Sequence, residues 1–568
     1  MSPIHAAGGH EFNFTDANLP KTYSLHSKTV LVVGGGGREH AIVDALSRSP
    51  QVGKIYCAPG NAGIGQIAEN VPLKDTDVEG LKAFAMGHGV DLTVVGPEAA
   101  LSVGIVDAFR AAGLRIFGHT QSATRIESSK EFAKVLMDKY GIPTAGYRSF
   151  TSYNEALAYV SARPFPAVLK YDGLAAGKGV VIAEDLEAAD AALKDMLLDG
   201  CFGEGKVVVE DFLTGPEFSF MCFVSGGRVL PMPLSQDHKR AYDGDRGPNT
   251  GGMGAYTGLP FITGEDREFA LKEIMQKAAD AMVAEGCPLS GVLYGGLMKT
   301  PQGVKVIEFN ARFGDPETEV VLPLLESDIY DIFSAAADGA SFPEEVRWSN
   351  KVTMGVVLAS KGYPGSYEKG FEILGLEYIH CRHGEGHEGC GCHGEGHEGC
   401  GCHGEGSGCG CHGEGHEGCG CHGEGHEGCG CHGEGHDGCG CHGEGHDGCG
   451  CHGGHGDEGC CGEGSGCGCH GDEKGGCCHH GESHDGCGCH GDGHEGCGCH
   501  DDGHICGTVY HMGTKLVDGH IVTNGGRVLM VVCKGRDIIE ARVKVYRALS
   551  VIQCPNLFYR NDIAHYAL

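Results

Sequence analysis

Between Cys381 and Cys506 the chain repeats a ten-residue unit, Cys-Gly-Cys-His-Gly-Glu-Gly-His-Glu/Asp-Gly, most regularly from Cys409 to Cys451. Apart from Ile505 the tract has no aliphatic or aromatic side chain, so it has nothing with which to build a core. Its period is too short for helical solenoid repeats. Without a ligand it is expected to be disordered. It holds 26 of the 32 Cys, and His380 to His504 are 24 of the 34 His. Its 24 acidic residues face only Arg382 and Lys474, so it carries −22 of the net charge of −33. The rest of the 568 residues is therefore an ordinary, mildly acidic globular protein.

Several functional classes fall away. No run of about 18 apolar residues exists, so no segment reads as a membrane span. Residues 1–27 have no apolar h-region and little Arg, and read as a disordered leader rather than a targeting peptide. The acidic balance and the lack of a basic stripe argue against a nucleic-acid partner. Cys57, Cys201, Cys222, Cys287, Cys533 and Cys554 lie outside the repeat without the look of a disulfide framework. A reducing, cytoplasmic setting follows.

The first element is expected to be a strand, Thr29–Val33, running through Gly34-Gly35-Gly36-Gly37 into a helix over Ala41–Leu46. A second unit has a strand at Leu92–Val95, the turn Gly96-Pro97-Glu98, a helix over Ala99–Ala112 and a strand at Leu114–Phe117. Alternating strands and helices predict a parallel α/β domain over 28–128. From 129 to 349 the texture is α+β. A helix is expected over Lys130–Tyr140, with strands at Ala167–Lys170, Val180–Ala183, Lys206–Glu210 and Val304–Asn310. Apolar spacing adds a helix over Leu271–Val283. A small last domain occupies 350–378, breaks for an insert over 379–506, and resumes over 507–568.

Gly34-x-Gly36 before a helix lets backbone N–H groups approach an anion, and the helix dipole favours phosphate there. Glu39 stands where a dinucleotide fingerprint needs its third glycine. A phosphate-bearing substrate or a structural turn is the better reading. The loop from Lys170 to Val180 brings two lysines and small residues together, suited to covering phosphates, although its spacing is not a Walker A motif. A flexible hairpin with a solvated lysine is the alternative. Val207–Leu213, followed by Gly215-Pro216-Glu217, could hold an adenine and a ribose through backbone amides and an acidic group. On Val306–Asn310, strand alternation puts Glu308 and Asn310 on one face. Two such oxygens suit Mg2+. Arg312 can meet a carboxylate or phosphate with both arms of its fork. Gln236–Arg240 and Gly247–Gly254 read as a substrate-facing surface or as a bland loop.

In this order, Gly34–Ala41, Pro59-Gly60-Asn61, Gly96-Pro97-Glu98, Ser128-Ser129-Lys130, Lys170–Val180, Gln236–Gly254, Glu308–Glu317, Thr523–Leu529 and Tyr559–Ile563 resemble the phosphoribosylamine–glycine ligases (GAR synthetases). These are ATP-grasp enzymes of purine synthesis, and the resemblance covers 28–378 and 507–568. It implies a pre-ATP-grasp domain, an ATP-grasp domain and a small C-terminal domain. It also implies a reaction in which ATP phosphorylates glycine and the amine of 5-phosphoribosylamine attacks the acyl phosphate. By the same resemblance Lys130, Lys170, Gly177, Lys178 and Gly179 face the ATP phosphates. Glu210 and Phe212 face the nucleoside, and Glu217 the ribose. Glu308 and Asn310 hold Mg2+ or Mn2+. Arg312, Asp315 and Asp237 serve the glycine and acyl-phosphate end, and Gly36, Gly37, Arg38, Glu39 and Glu98 receive phosphoribosylamine. Met512 and the ending Ile563–Ala567 depart slightly from the pattern, and no later purine-pathway domain is expected. A monomer is expected, with a dimer as the alternative. A ligase for another amine or acid is the competing reading, and Gly34–Ala41 and Gln236–Gly254 argue against it.

In the insert, Cys409, Cys411, His412, Cys419, Cys421 and His422 typify the ligand pattern. Thiolates and imidazoles suit Zn2+, Cu+ or Ni2+, and the carboxylates raise the local cation concentration. The spacing is not that of a zinc finger. Metal buffering or storage, neutral expansion of repeated coding sequence, and a metal or redox switch on the ligase are the three readings. For the whole chain the alternative is a metal store on an inactive ligase scaffold. The presence of Lys130, Lys170, Glu210, Glu308, Asn310, Arg312 and Asp315 favours an active enzyme.

Overall fold

Val30–Val33 are β-branched or leucine and fully excluded from solvent, as the middle strand of a parallel sheet requires. In the computed structural model this strand, Lys28–Gly34, is the centre of five parallel strands. Their order is Glu69–Asn70, Val52–Pro59, Lys28–Gly34, Leu92–Val95, Ile116–Phe117. The direction of winding reverses between Lys28–Gly34 and Leu92–Val95. Ligands of such sheets bind in the crevice beyond the carboxyl ends of those two strands, where Gly34–Gly37 and Gly96–Glu98 lie. The structure describes residues 27–173, 179–199, 203, 205–340, 342–379 and 505–568, together with the backbone of seven short strands in the repeat. The expected leader and the loop residues 174–178 fall outside these.

Three expectations are corrected here. The first helix begins at Gly37, so Arg38, Glu39 and His40 are helical rather than part of the turn. The helix expected over Ala99–Ala112 is two, Glu98–Ser102 and Ile105–Ala111, because Gly104 between them adopts φ +81°. The amphipathic stretch Leu271–Val283 belongs to a longer helical run, Gly264–Phe269, Ala270–Gln276 and Lys277–Ala284, whose middle segment is a π-helix.

A four-stranded antiparallel sheet follows, ordered Tyr147–Phe150, Val207–Asp211, Ala167–Tyr171, Val180–Ala183. A ten-stranded sheet then carries the remainder. Its main path is Gly303–Asn310, Ser290–Thr300, Glu217–Ser225, Ser235–Asp237, Gly254–Thr257, Val352–Ser360, Arg527–Gly535, Thr508–His511. This sheet crosses the boundary drawn at 349/350, because Gly254–Tyr256 pairs with Met354–Val356. The small sheet meets the large one where Lys170 Nζ donates to Ile307 O at 2.8 Å.

The insert leaves and re-enters this body at one place. Ile379 and Ile505 form a parallel bridge, and Ile505 N donates to Tyr378 O at 2.8 Å. Residues Arg382–Gly498 form a separate unit. In it seven Gly-Cys-His strands pair in parallel, in register, every second repeat: one stack holds Gly391–His393, Gly410–His412, Gly430–His432 and Gly450–His452. The other holds Gly401–His403, Gly420–His422 and Gly440–His442.

Gly104 lies near nothing closer than Gln121 Oε1 at 3.7 Å, measured from the place a Cβ would take. Gly104→Ala should therefore cost only its backbone strain, about 1–2 kcal/mol. Urea unfolding of the purified protein checks this.

Candidate active site

The helix Lys130–Tyr140 is capped by Ser129, whose Oγ accepts from Phe132 N at 3.1 Å. One turn apart, Lys130 and Lys134 share a face. Lys134 is buried, with Nζ 2.8 Å from Glu210 Oε2 and donating to Thr144 Oγ1 at 2.8 Å. Glu210 Oε1 lies 3.0 Å from Lys170 Nζ. Burial draws the Lys134 ammonium down to about 8, against the pull of Glu210 and with help from Lys170. These side chains, with Met137 and Glu308, line a cleft between the helix and the strand Gly303–Asn310. Phe212 stands 40% exposed just past the strand that carries Glu210. Lys134 was not anticipated. Its signal was a lysine within the apolar stripe Ala133, Leu136, Met137.

Glu308 is half-buried, which alone would raise its pKa. Lys130, Lys170, Lys239 and Arg312 outweigh burial and bring it to about 2. Asn310 Oδ1 accepts only a long contact, 3.5 Å, from Arg312 Nη2. An ionised carboxylate and a weakly engaged amide oxygen fit Mg2+ or Mn2+, with substrate phosphates and water completing the shell. Among the described residues no three His, Cys, Asp or Glu converge as a fuller metal nest. The side chains of Cys411, His412, Cys421 and His422, and all of Cys409, Cys419, Gly177 and Lys178, lie outside the described residues. Gly179 is described, and its carbonyl accepts from Tyr171 N at 2.8 Å.

Arg312 joins the two halves of the site. Its Nε is 3.4 Å from Glu127 Oε1 and 3.6 Å from Glu98 Oε2. Glu127, buried and not anticipated, also accepts from Ala311 N at 2.7 Å. Arg38 donates from Nε to Glu39 Oε1 at 2.6 Å and from Nη1 to Phe313 O at 3.2 Å, and lies 4.0 Å from Glu98. Burial opposes ionisation of Glu98, but Arg312 and Arg38 prevail and hold it below the usual carboxylate range. Glu39 explains the missing third glycine: its Oε2 accepts from Gly36 N at 2.7 Å, and a Cβ on Gly34 or Gly96 would collide with it. Gly36 is half-buried with its N–H taken by Glu39, and Gly37 is buried, where a Cβ would collide with Glu319 and Met512. A Cβ placed on Gly36 would stand 3.6 Å from Asp315 Oδ2, and Asp315 Oδ1 is 2.8 Å from Arg527 Nη1.

Asp237 and Glu217 meet at Lys239, whose Nζ is 2.9 Å from Glu217 Oε2. Burial pushes the Asp237 carboxyl up to about 7; Lys239 opposes this, and Glu317 and Glu217 add to it. Glu317, the end of the Glu308–Glu317 motif, accepts from Ser219 Oγ at 3.0 Å and Tyr294 OH at 2.8 Å. The structure thus gathers Lys130, Lys170, Glu210 and Glu308 at the cleft. Arg38, Glu39, Glu98, Asn310 and Arg312 form one linked chain, with Asp315 beside Gly36. Such a site can neutralise and orient phosphates next to a carboxylate, which is most of what phosphoryl transfer demands.

Three family profiles match the chain. The phosphoribosylglycinamide synthetase N domain matches 28–127, its ATP-grasp (A) domain 128–318 and its C domain 494–566. The phosphoribosylamine–glycine ligase of Halalkalibacterium halodurans is 51% identical over 352 residues, covering 62% of this chain and 82% of that protein. That of Listeria innocua is 53% identical over 354 residues, covering 62% and 84%. The solved phosphoribosylamine–glycine ligase of Thermotoga maritima superposes with a TM-score of 0.63 at 26% identity, covering 94% of this chain and 100% of that one. A biotin carboxylase domain from Hydrogenobacter thermophilus, at 16% identity and a TM-score of 0.50 over 61% of this chain and 78% of its own, shares the fold alone. With its two joined sheets, its charged cleft and these matches, the chain belongs to the phosphoribosylamine–glycine ligase family.

Proposed function

We propose that this ATP-dependent ligase of purine biosynthesis joins glycine to 5-phosphoribosylamine through glycyl phosphate, yielding glycinamide ribonucleotide, ADP and phosphate. The observation that carries this reading is the field of four cations, Lys130, Lys170, Lys239 and Arg312, around the ionised Glu308. Lys130 and Lys170 neutralise the ATP phosphates, with Lys178 and the Gly177–Gly179 loop covering them. Glu210 and Phe212 border the nucleoside, and Glu217 the ribose. Glu308 and Asn310 hold Mg2+ or Mn2+, which would offset the charge of the transferring phosphoryl group. Arg312 orients the glycine carboxylate and then the acyl phosphate. The turn at Gly36-Gly37 receives phosphoribosylamine, with Arg38, Glu39, Glu98 and Asp315 beside it. The amine attacks the acyl carbon, phosphate leaves, and Asp237, poised near neutrality, is suited to accept the amine's proton.

The enzyme is read as a cytoplasmic monomer, and its insert as a chelating appendage for Zn2+, Cu+ or Ni2+ that buffers metal. Support for the appendage is the density of thiols and imidazoles and the bridge at Ile379 and Ile505, which brings the two ends of the tract together.

ADP release by the reduced protein should need Mg-ATP, glycine and freshly made phosphoribosylamine together. Turnover without one of the two substrates would sink the reading. Glu308→Gln should lower kcat about 100-fold with the fold intact by circular dichroism. Reduced full-length protein should bind about six Zn2+ at four thiolates each, measured by equilibrium dialysis. Deleting 382–498 should abolish that binding and leave ADP release unchanged. Because the Asp237 pKa is raised on folding, its contribution to stability is intact below the usual carboxylate range and lost as pH rises towards 7. Asp237→Asn should therefore raise Tm at pH 8, and the gain should disappear by about pH 4.

A further inference from the structure

The hairpin Arg240–Tyr242 and Arg246–Asn249 projects from the strand that ends in Asp237, and Lys239 stands at its base. The chain's last residues fasten its tip. Arg560, 1% exposed, donates from Nη1 to Arg240 O at 2.9 Å and from Nη2 to Asp245 Oδ1 at 2.9 Å. Its Nε donates to Asp562 Oδ1 at 2.8 Å, and Asp562 Oδ2 accepts from Gly244 N at 2.7 Å. Asn561 N and Nδ2 donate to the two oxygens of Asp243 at 2.8 and 3.1 Å. Tyr566 OH donates to Asp245 Oδ2 at 2.7 Å, and Ala564 N to His238 Nε2 at 2.9 Å. Three consecutive tip residues, Asp243 to Asp245, are thus held by a segment more than 300 positions away.

Two further observations mark this clasp as more than surface packing. Asp245 and Ala564, one on each side of it, adopt φ of +52° and +66° without being glycine. Such backbone persists only where its surroundings dictate it, and it concentrates at functional sites. The guanidinium is also out of solvent, so its fork is aligned by four hydrogen bonds rather than by water.

We infer that Arg560 is a positioning residue for the ligation: through Asp245, Asp562 and the Arg240 carbonyl it fixes the hairpin that sets Asp237 and Lys239 against Glu217. The small C-terminal domain thereby completes an active-site wall whose catalytic groups all belong to other segments. This rests on the ligase reading above. Arg560 touches no substrate; it acts through Lys239.

The experiment is a double-mutant cycle in the full chain, with ADP release and hydrogen exchange as independent readouts. Arg560→Gln should lower kcat on the order of 10- to 100-fold, while KM for ATP rises less than kcat falls, because among the nucleotide contacts only Glu217 meets the hairpin, and Lys130, Lys170 and Glu210 sit on other elements. In a Lys239→Met background Arg560→Gln should have no further effect on kcat. Amides of 240–250 should exchange at least about tenfold faster in Arg560→Gln, with those of Lys130–Tyr140 unchanged. Additive losses in the cycle, or exchange that rises everywhere alike, overturn the inference. Tyr566→Phe removes one bond at the exposed rim and spares the buried charge, so it remains informative if Arg560→Gln does not fold. Faster exchange at 240–250 in Tyr566→Phe supports the inference, and unchanged exchange there overturns it. Hydrogen exchange needs no turnover, so failure of the ligase reading and failure of this one are told apart.

Discussion

The active site depends on one shared carboxylate. Glu98 ends the turn after Leu92–Val95, and both Arg38, on the first helix, and Arg312, just past the strand Gly303–Asn310, reach it. Neither guanidinium has much water around it, so each needs an anion to justify its burial. Glu98 and Glu39 supply this for Arg38, and Glu98 and Glu127 for Arg312. The crevice of the parallel sheet and the end of the strand Gly303–Asn310 are therefore held together by charge, where apolar packing would have closed the space between them. Take away Glu98 and two cations lose a common counter-ion in one step.

A second constraint is continuity of the large sheet. The strand Val352–Ser360 pairs with Gly254–Thr257 on one side and Arg527–Gly535 on the other. The C-terminal domain is thus hydrogen-bonded into the ATP-grasp sheet rather than docked on it. Arg527 uses this placement to reach both Gly251 O and Asp315. The loop at Gly251 and the turn at Asp315 consequently take their positions from a residue on the far side of a long insertion.

Legibility in the sequence followed the range of the interaction. Glu308 and Asn310 could be paired because strand alternation is a local rule. The helix Lys130–Tyr140 was readable to the residue, since serine before it and Gly141 after it mark its ends. The break at Gly104 was not, because an isolated glycine within a helical pattern is compatible with either outcome. Glu127, Lys134, Lys239 and Arg560 were out of reach for another reason. Each looks like a solvated charge until a partner distant in sequence engages it: Arg312, Glu210, Glu217 and Asp245 respectively, with Lys239 still exposed. The sheet that merges two sequence-assigned domains was hidden likewise, because its register is set by strands about a hundred residues apart.

The bridge between Ile379 and Ile505 has an evolutionary consequence. With the neck of the insertion closed, lengthening the chain beyond it costs loop-closure entropy of only about 0.6 kcal/mol for each doubling of length. Against a domain stability of roughly 5–15 kcal/mol, that is a weak penalty. Near-identical repeats invite unequal recombination, and here its products would be screened hardly at all by folding. Folding of the body therefore places little limit on repeat number in this protein.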